Sequence, residues 1–195
     1  MKINNYASDL YKNKDLKLHK TSIPGLLLID LVVFGDSRGW FKENFQREKL
    51  VAQGFPKNFN IVQNNVSSNK NTGVTRGIHA EPWDKYISIN SGKIFCAIVE
   101  LRSNGVFGTV ETFELTPGNA IFVPRGCGNS FQTLTDNVDY TYLVNDHWSP
   151  DAKYTLTNLA DPDLHIKWPI PLDKAIISDK DKNQPFLKDI KPFEV

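Results

Sequence analysis

Residues 73–102 read GVTRGIHAEPWDKYISINSGKIFCAIVELR, and the alternation inside this stretch decides the fold class. Side chains along a strand point to opposite faces with a period of two. Over Lys85–Asn90 that period sets Lys85, Ile87 and Ile89 on one face and Tyr86, Ser88 and Asn90 on the other. Lys93–Arg102 is apolar on both faces until Glu100, which reads as an ion-pair partner for Arg102 or a nearby lysine. Working outward, similar short runs predict strands at Leu26–Phe34, Asn60–Ser68, Gly108–Leu115, Asn119–Val123 and Val138–Val144. Ser91-Gly92, Ser103-Asn104-Gly105 and Pro117-Gly118 carry the residues of hairpin turns. One short helix is expected at Arg47–Gln53, closed by Gly54. Short strands punctuated by turn residues point to an all-β sandwich or barrel.

The chain has 195 residues, 40% apolar and 23% charged, which fits a single domain with a core about 21–170 and a tail 171–195 that wraps the surface or meets a partner subunit. The net charge of +1 offers no broad basic field, so nucleic acid is not an expected partner and any bound anion must be gripped locally. Cys96 and Cys127 form no CxxC pair, which favours reduced thiols and a cytoplasmic location. Residues 1–20 lack the apolar segment of a signal peptide, and the apolar run at 25–34 is too short to cross a bilayer, so no membrane association is expected.

Several polar residues occupy faces where periodicity asks for apolar ones. Lys85 is costly to bury without a task or a partner. Gln63, Asn65 and Ser67 share one wholly polar face, which reads equally as an exposed sheet face or as the wall of a site. Tyr140 and Tyr142 share a face with Val138 and Val144, where tyrosines are commonly core residues with a bonded hydroxyl.

The segment Gly73–Gly92 resembles the first motif of the cupin family, with Gly73, His79, Glu81, Lys85 and Gly92 at the motif's spacing. Glu81 stands where the second histidine would be, and Lys85 where the metal-binding glutamate would be. Gly118, Pro124, Gly126 and Asn129 follow the second motif, with asparagine in place of its histidine. A divalent metal needs several His, Cys or carboxylate donors, and an ammonium at one ligand position repels it, so neither a metal nor another cofactor is expected. An ammonium at that point can instead stabilise negative charge developing on a carbonyl oxygen.

Within the cupins, residues 21–169 resemble the dTDP-4-dehydrorhamnose 3,5-epimerase family through IPGLLLID, GDSRGWFKENF, QNNVS, TRGIHAEPWDKY, VELR, IFVPRGCGNSFQTL, YTYLVNDHWSP and ADPDLHIKWP, taken in that order. The resemblance implies a cupin-type jelly roll with a few short helices, a dTDP-sugar substrate and a homodimer. It implies epimerisation at C3 and C5 through an enolate: His79 as base, Asp161 as the carboxylate that orients it, Lys85 beside the ketone oxygen, and Tyr142 as the acid on the opposite side. It further implies substrate binding by Arg38, Glu43, Gln63, Asn65, Arg76 and Asn129, with guanidinium groups suited to the diphosphate. Arg76 and His79 differ in parity, and Gly77 between them could permit a bulge that turns both inward. Alternatives are a single-carbon epimerase or an epimerase of another nucleotide-linked 4-ketosugar, a non-catalytic sugar-binding cupin, and a metal-dependent cupin oxygenase.

Overall fold

The computed structural model describes residues 15–194 and places the chain in two antiparallel sheets packed face to face. The strands are β1 (Lys17–Lys20), β2 (Leu27–Asp30), β3 (Val33–Asp36), β4 (Gly39–Lys42), β5 (Gln63–Asn69), β6 (Thr75–Ala80), β7 (Lys85–Ser91), β8 (Ile94–Glu100), β9 (Val110–Leu115), β10 (Asn119–Val123), β11 (Cys127–Thr133), β12 (Val138–Val144) and β13 (Thr155–Leu156). One sheet runs β1-β2-β10-β7-β12-β5 and the other β13-β6-β11-β8-β9, while β3 and β4 form a separate hairpin. This is the jelly-roll architecture expected from the sequence. No helix among the described residues is long and apolar enough to cross a membrane.

The core lies where the inner faces meet. Ile87, Ile89, Ile121 and Tyr140 from the first sheet pack against Ile94, Cys96, Ile98 and Phe131 from the second. Alternation in β7 puts Tyr86 on the outer face, where it joins Phe45, Phe55, Phe59 and Phe122 in a cluster of tilted and edge-on rings. Helix α1 (Arg47–Ala52) covers this cluster with Leu50. Its first turn is capped by the Gln46 side chain, which accepts from the Lys49 N–H at 2.7 Å, and Gly54 follows its end with φ +99°.

The tail after Pro171 wraps the outer face of the second sheet. Leu172, Ile177, Leu187 and Ile190 pack over Ile78, Val99 and Leu101. Backbone bridges tie Val74 to Ile176 and Arg102 to Phe193, and the short helix α2 (Asp179–Lys182) rests on β6. Glu100 is fully buried and paired with Arg102, as expected.

The structure revises several local readings. The run 26–34 divides into β2 and β3: the Leu31 N–H still bonds to the Gly118 carbonyl in the β2–β10 register, and beyond it β3 pairs only with β4. Only the turn at 103–105 joins paired neighbours, β8 and β9. The turns at 91–92 and 117–118 carry the chain from one sheet to the other, so neither closes a hairpin. The exposed β3–β4 hairpin is closed by Asp36, whose Oδ1 accepts from the Arg38 N–H at 2.8 Å in a local side-chain turn.

Candidate active site

Strands β5, β6, β7, β11 and β12, with Glu81 just after β6, bring residues to one cavity of about 210 Å³, lined among others by Ser67, Arg76, His79, Glu81, Lys85, Asn129 and Tyr142. It is smaller than the roughly 300–1,000 Å³ that encloses a drug-sized ligand. His79 and Glu81 also wall an adjoining cavity of about 340 Å³, completed by Trp148, Pro150, Tyr154, Leu156 and Lys180.

A bulge in β6 makes the arrangement possible. Asn129 pairs with His79 and Phe131 with Arg76, so three steps on β6 oppose two on β11. The extra residue turns Arg76 and His79 onto the same cavity despite their opposite parity. Gly77 carries φ +125°, and a Cβ there would lie 2.4 Å from the Ser130 Cβ and 2.9 Å from the Asn129 carbonyl oxygen. Only glycine fits this position.

The partner of His79 is Asp181, not Asp161. His79 Nε2 lies 2.8 Å from Asp181 Oδ1, across 102 positions of sequence. Asp181 Oδ2 accepts from the Gly77 N–H at 3.4 Å, and the Ser178 hydroxyl caps the helix by accepting from the Asp181 N–H at 3.1 Å. Burial pushes the Asp181 carboxyl up, but the His79 ring, the Gly77 N–H and the Ser178 hydroxyl together outweigh it and leave the group below its ordinary value. An ionised carboxylate on Nε2 fixes that nitrogen as the N–H and leaves the Nδ1 lone pair to take a proton.

Asp161 serves elsewhere. It caps a 3₁₀ turn at Pro162–Leu164, where Oδ1 accepts from the Asp163 N–H at 2.9 Å and Oδ2 from the Leu187 N–H at 2.5 Å. Aspartate followed by proline is the signature of a helical cap, and that local use consumes both oxygens.

Lys85 is buried on the inner face of β7, with Nζ paired to Glu81 and 2.5 Å from Asn129 Oδ1. The same Nζ lies 5.6 Å from the centre of the Tyr142 ring. Burial pulls the Lys85 ammonium below its usual range, and Glu81 partly restores it. Tyr140 is a core residue stacked on Phe131 at 4.4 Å, whereas Tyr142 is half-buried and faces the cavity. Burial raises the Tyr142 phenol, Glu81 and Tyr154 add to the rise, and Arg76 opposes it. The phenol therefore carries its proton at neutral pH.

The polar face of β5 turns inward. Gln63 donates to Asn65 Oδ1 at 2.7 Å and accepts from the Trp148 N–H at 3.1 Å, while Val66 on the opposite face is 65% exposed. Arg76 is steadied by Asn69 Oδ1, 3.2 Å from its Nε. Of the expected binding residues, Arg76 and Asn129 line the cavity, whereas Gln63, Asn65, Arg38 and Glu43 do not: Arg38 pairs with Asp36 on the exposed hairpin, and Glu43 with Lys49. Among the described residues no three His, Cys, Asp or Glu side chains converge as a metal cage. What the geometry assembles is an imidazole backed by a carboxylate, a protonated phenol and a buried ammonium around one small space.

Comparison with known proteins gives the chain's family. The model of the family described as dTDP-4-dehydrorhamnose 3,5-epimerase matches residues 20–189. A Streptococcus pyogenes protein named RmlC homolog is 50% identical over 178 residues, covering 88% of this chain and 89% of its own. The structure of RmlC from Streptococcus suis, solved in complex with dTDP-D-xylose, superposes with a TM-score of 0.89 at 48% identity, covering 93% of this chain and 96% of that one. A Streptomyces dTDP-4-dehydro-6-deoxyglucose 3-epimerase is 32% identical over 177 residues, covering 87% of this chain and 88% of its own.

Proposed function

From the premise that this chain belongs to the dTDP-4-dehydrorhamnose 3,5-epimerase family, we propose that it inverts C3 and C5 of dTDP-4-dehydro-6-deoxy-D-glucose, giving dTDP-4-dehydro-L-rhamnose for dTDP-L-rhamnose synthesis. The observation that carries this reading is the convergence of His79, Lys85 and Tyr142 on one cavity.

The chemistry follows from the groups present. His79 removes the proton from the carbon beside the ketone; the C–H electron pair becomes the C=C bond of the enolate, and the carbonyl π pair moves onto oxygen. Lys85 stands ready to donate a hydrogen bond to that oxygen as its charge develops, in a site where burial strengthens the interaction. Tyr142 returns a proton to carbon from the other face, which inverts the centre. Proton exchange with solvent then restores the phenol and the neutral imidazole. Asp181 holds His79 in the tautomer that accepts the proton. Arg76, Gln63, Asn65 and Asn129 are assigned to holding the nucleotide sugar at the mouth and wall of the cavity.

Incubation with this substrate in heavy water, followed by NMR, tests the assignment. Deuterium is expected at both C3 and C5. Uptake at C3 alone would assign single-carbon epimerisation, the activity for which the Streptomyces relative is named. No uptake at either carbon would reject an epimerase.

The working unit is proposed to be a homodimer. The β3–β4 hairpin exposes Phe34 (61%) and Phe41 (63%) beside Trp40, a surface that a second copy would cover. Such a contact would also bring Arg38 and Glu43 to a partner's cavity, which they do not reach in their own protomer. Light scattering is expected to give twice the 22.1 kDa chain mass, and Phe34→Asp with Phe41→Asp to lower it toward the monomer. A monomeric wild-type protein with full activity would contradict the dimer.

A further inference from the structure

Glu81 takes no part in the proton transfers above, yet it is the one carboxylate among the described residues that line the cavity. Its Oε2 accepts from the Trp83 indole N–H at 2.9 Å and pairs with Lys85 Nζ. The indole is itself set, edge-on to Tyr154 at 5.9 Å between ring centres. The Glu81 backbone is anchored too, its carbonyl accepting from the Gly126 N–H at 3.0 Å. Glu81 is therefore held from both ends, with its carboxylate against an ammonium that has almost no access to water.

A buried lysine sheds its proton readily unless an anion accompanies it. The polar groups that share this cavity with Nζ are Glu81 after β6, His79 and Arg76 on β6, Asn129 on β11, and Tyr140 and Tyr142 on β12. Arg76 is cationic, and the imidazole, the amide and the two phenols carry no negative charge at neutral pH, so Glu81 alone among them can supply the compensating charge. Asn129 Oδ1 fixes a second direction for the ammonium, and one N–H is left for a substrate oxygen.

We propose that Glu81 is a positioning residue for the epimerisation, keeping Lys85 protonated and aimed at the ketone oxygen. This rests on the epimerase reading for the identity of that oxygen; the pairing itself does not. Because the pair is neutral overall, the cavity accepts the enolate charge without holding an uncompensated cation at rest. At high pH the enzyme loses the ammonium, and Glu81 sets where that loss begins.

The test measures the ammonium directly. In protein carrying ¹⁵N at the lysine side chains, with the Lys85 signal identified by its loss in Lys85→Met, Glu81→Gln is expected to deprotonate Lys85 at least one pH unit below wild type, about a tenfold loss of proton affinity. The basic limb of substrate C–H exchange should move down by the same interval. Glu81→Asp keeps the charge but withdraws it by one methylene, so it should hold the wild-type limb and lower kcat. An unshifted Lys85 titration in Glu81→Gln, or a uniform loss of exchange at every pH, would overturn the proposal. Should Glu81→Gln fail to fold, Glu81→Asp decides: wild-type kcat in that variant would overturn it. Absence of exchange in the wild type would count against the epimerase reading and leave the nitrogen titration as a test of the pair.

Discussion

Replacing His79 by asparagine is expected to cut C–H exchange by on the order of 10³-fold or more, since general-base help is worth roughly 10²–10⁴ in rate. An asparagine amide stands where Nδ1 was and stops short of the Nε2 position that meets Asp181, and it has no basic lone pair with which to take a proton. His79 is partly exposed at the cavity wall and carries little core packing, so the stability cost should be the roughly 1–3 kcal/mol of leaving the buried Asp181 carboxylate without its ring partner. Asp181→Asn should follow the same course, losing roughly 10²-fold or more, because an amide no longer enforces the productive tautomer or offsets the imidazolium charge. Asp161→Asn is the informative contrast: exchange should persist, and the cost should appear as about 1 kcal/mol of stability from the weakened cap. Exchange kinetics and thermal melts on these variants check the assignment, and equal loss of exchange in both aspartate variants would contradict it.

The second large effect is expected at Tyr142. Phenylalanine keeps the ring against Tyr140 and under Lys85, so the fold and the cavity walls should survive. What disappears is the proton that burial, Glu81 and Tyr154 hold on the phenol. The rate of inverted product should fall by about 10²–10⁴, with KM little changed, because the lost interaction acts in the transition state. A rise in KM at constant kcat would make Tyr142 a binding residue instead.

How far the sequence reveals this site depends on how local each part is. Strands β7 and β12 declare themselves through period-two alternation and β10 as a short apolar run, and parity places Lys85 and Tyr142 facing inward. The bulge is legible from the parity conflict between Arg76 and His79 across Gly77. Strand β11 is not: it is buried at every position, yet Ser130 and Gln132 interrupt the apolar pattern. Those side chains are satisfied inside, Ser130 by the Ala97 carbonyl at 2.8 Å and Gln132 by the Ile170 backbone. Hydrophobic periodicity cannot register a strand whose buried face is hydrogen-bonded. Asp181 eludes local reading for a different reason. Ser178 and Asp181 have the spacing of a helix start, but only the tail's path across Ile78 and Leu101 brings that helix to His79. The same distance in sequence explains why the nearer-looking aspartate in ADPDLHIKWP, Asp161, is not the partner. The exposed hairpin carrying Arg38 is marked by Asp36-Ser37-Arg38-Gly39, turn chemistry just beyond the strand expected at Leu26–Phe34.

The account depends on proton removal and proton return occurring on opposite faces of the sugar. Tyr142→Phe in heavy water, with deuterium uptake and inverted product followed together by NMR, tests this most directly. His79 can still take a proton and hand back deuterium on its own side, so exchange at C3 should outrun inversion by at least about tenfold. Exchange and inversion falling in equal measure, or inverted product forming at the wild-type rate, would contradict the two-sided mechanism.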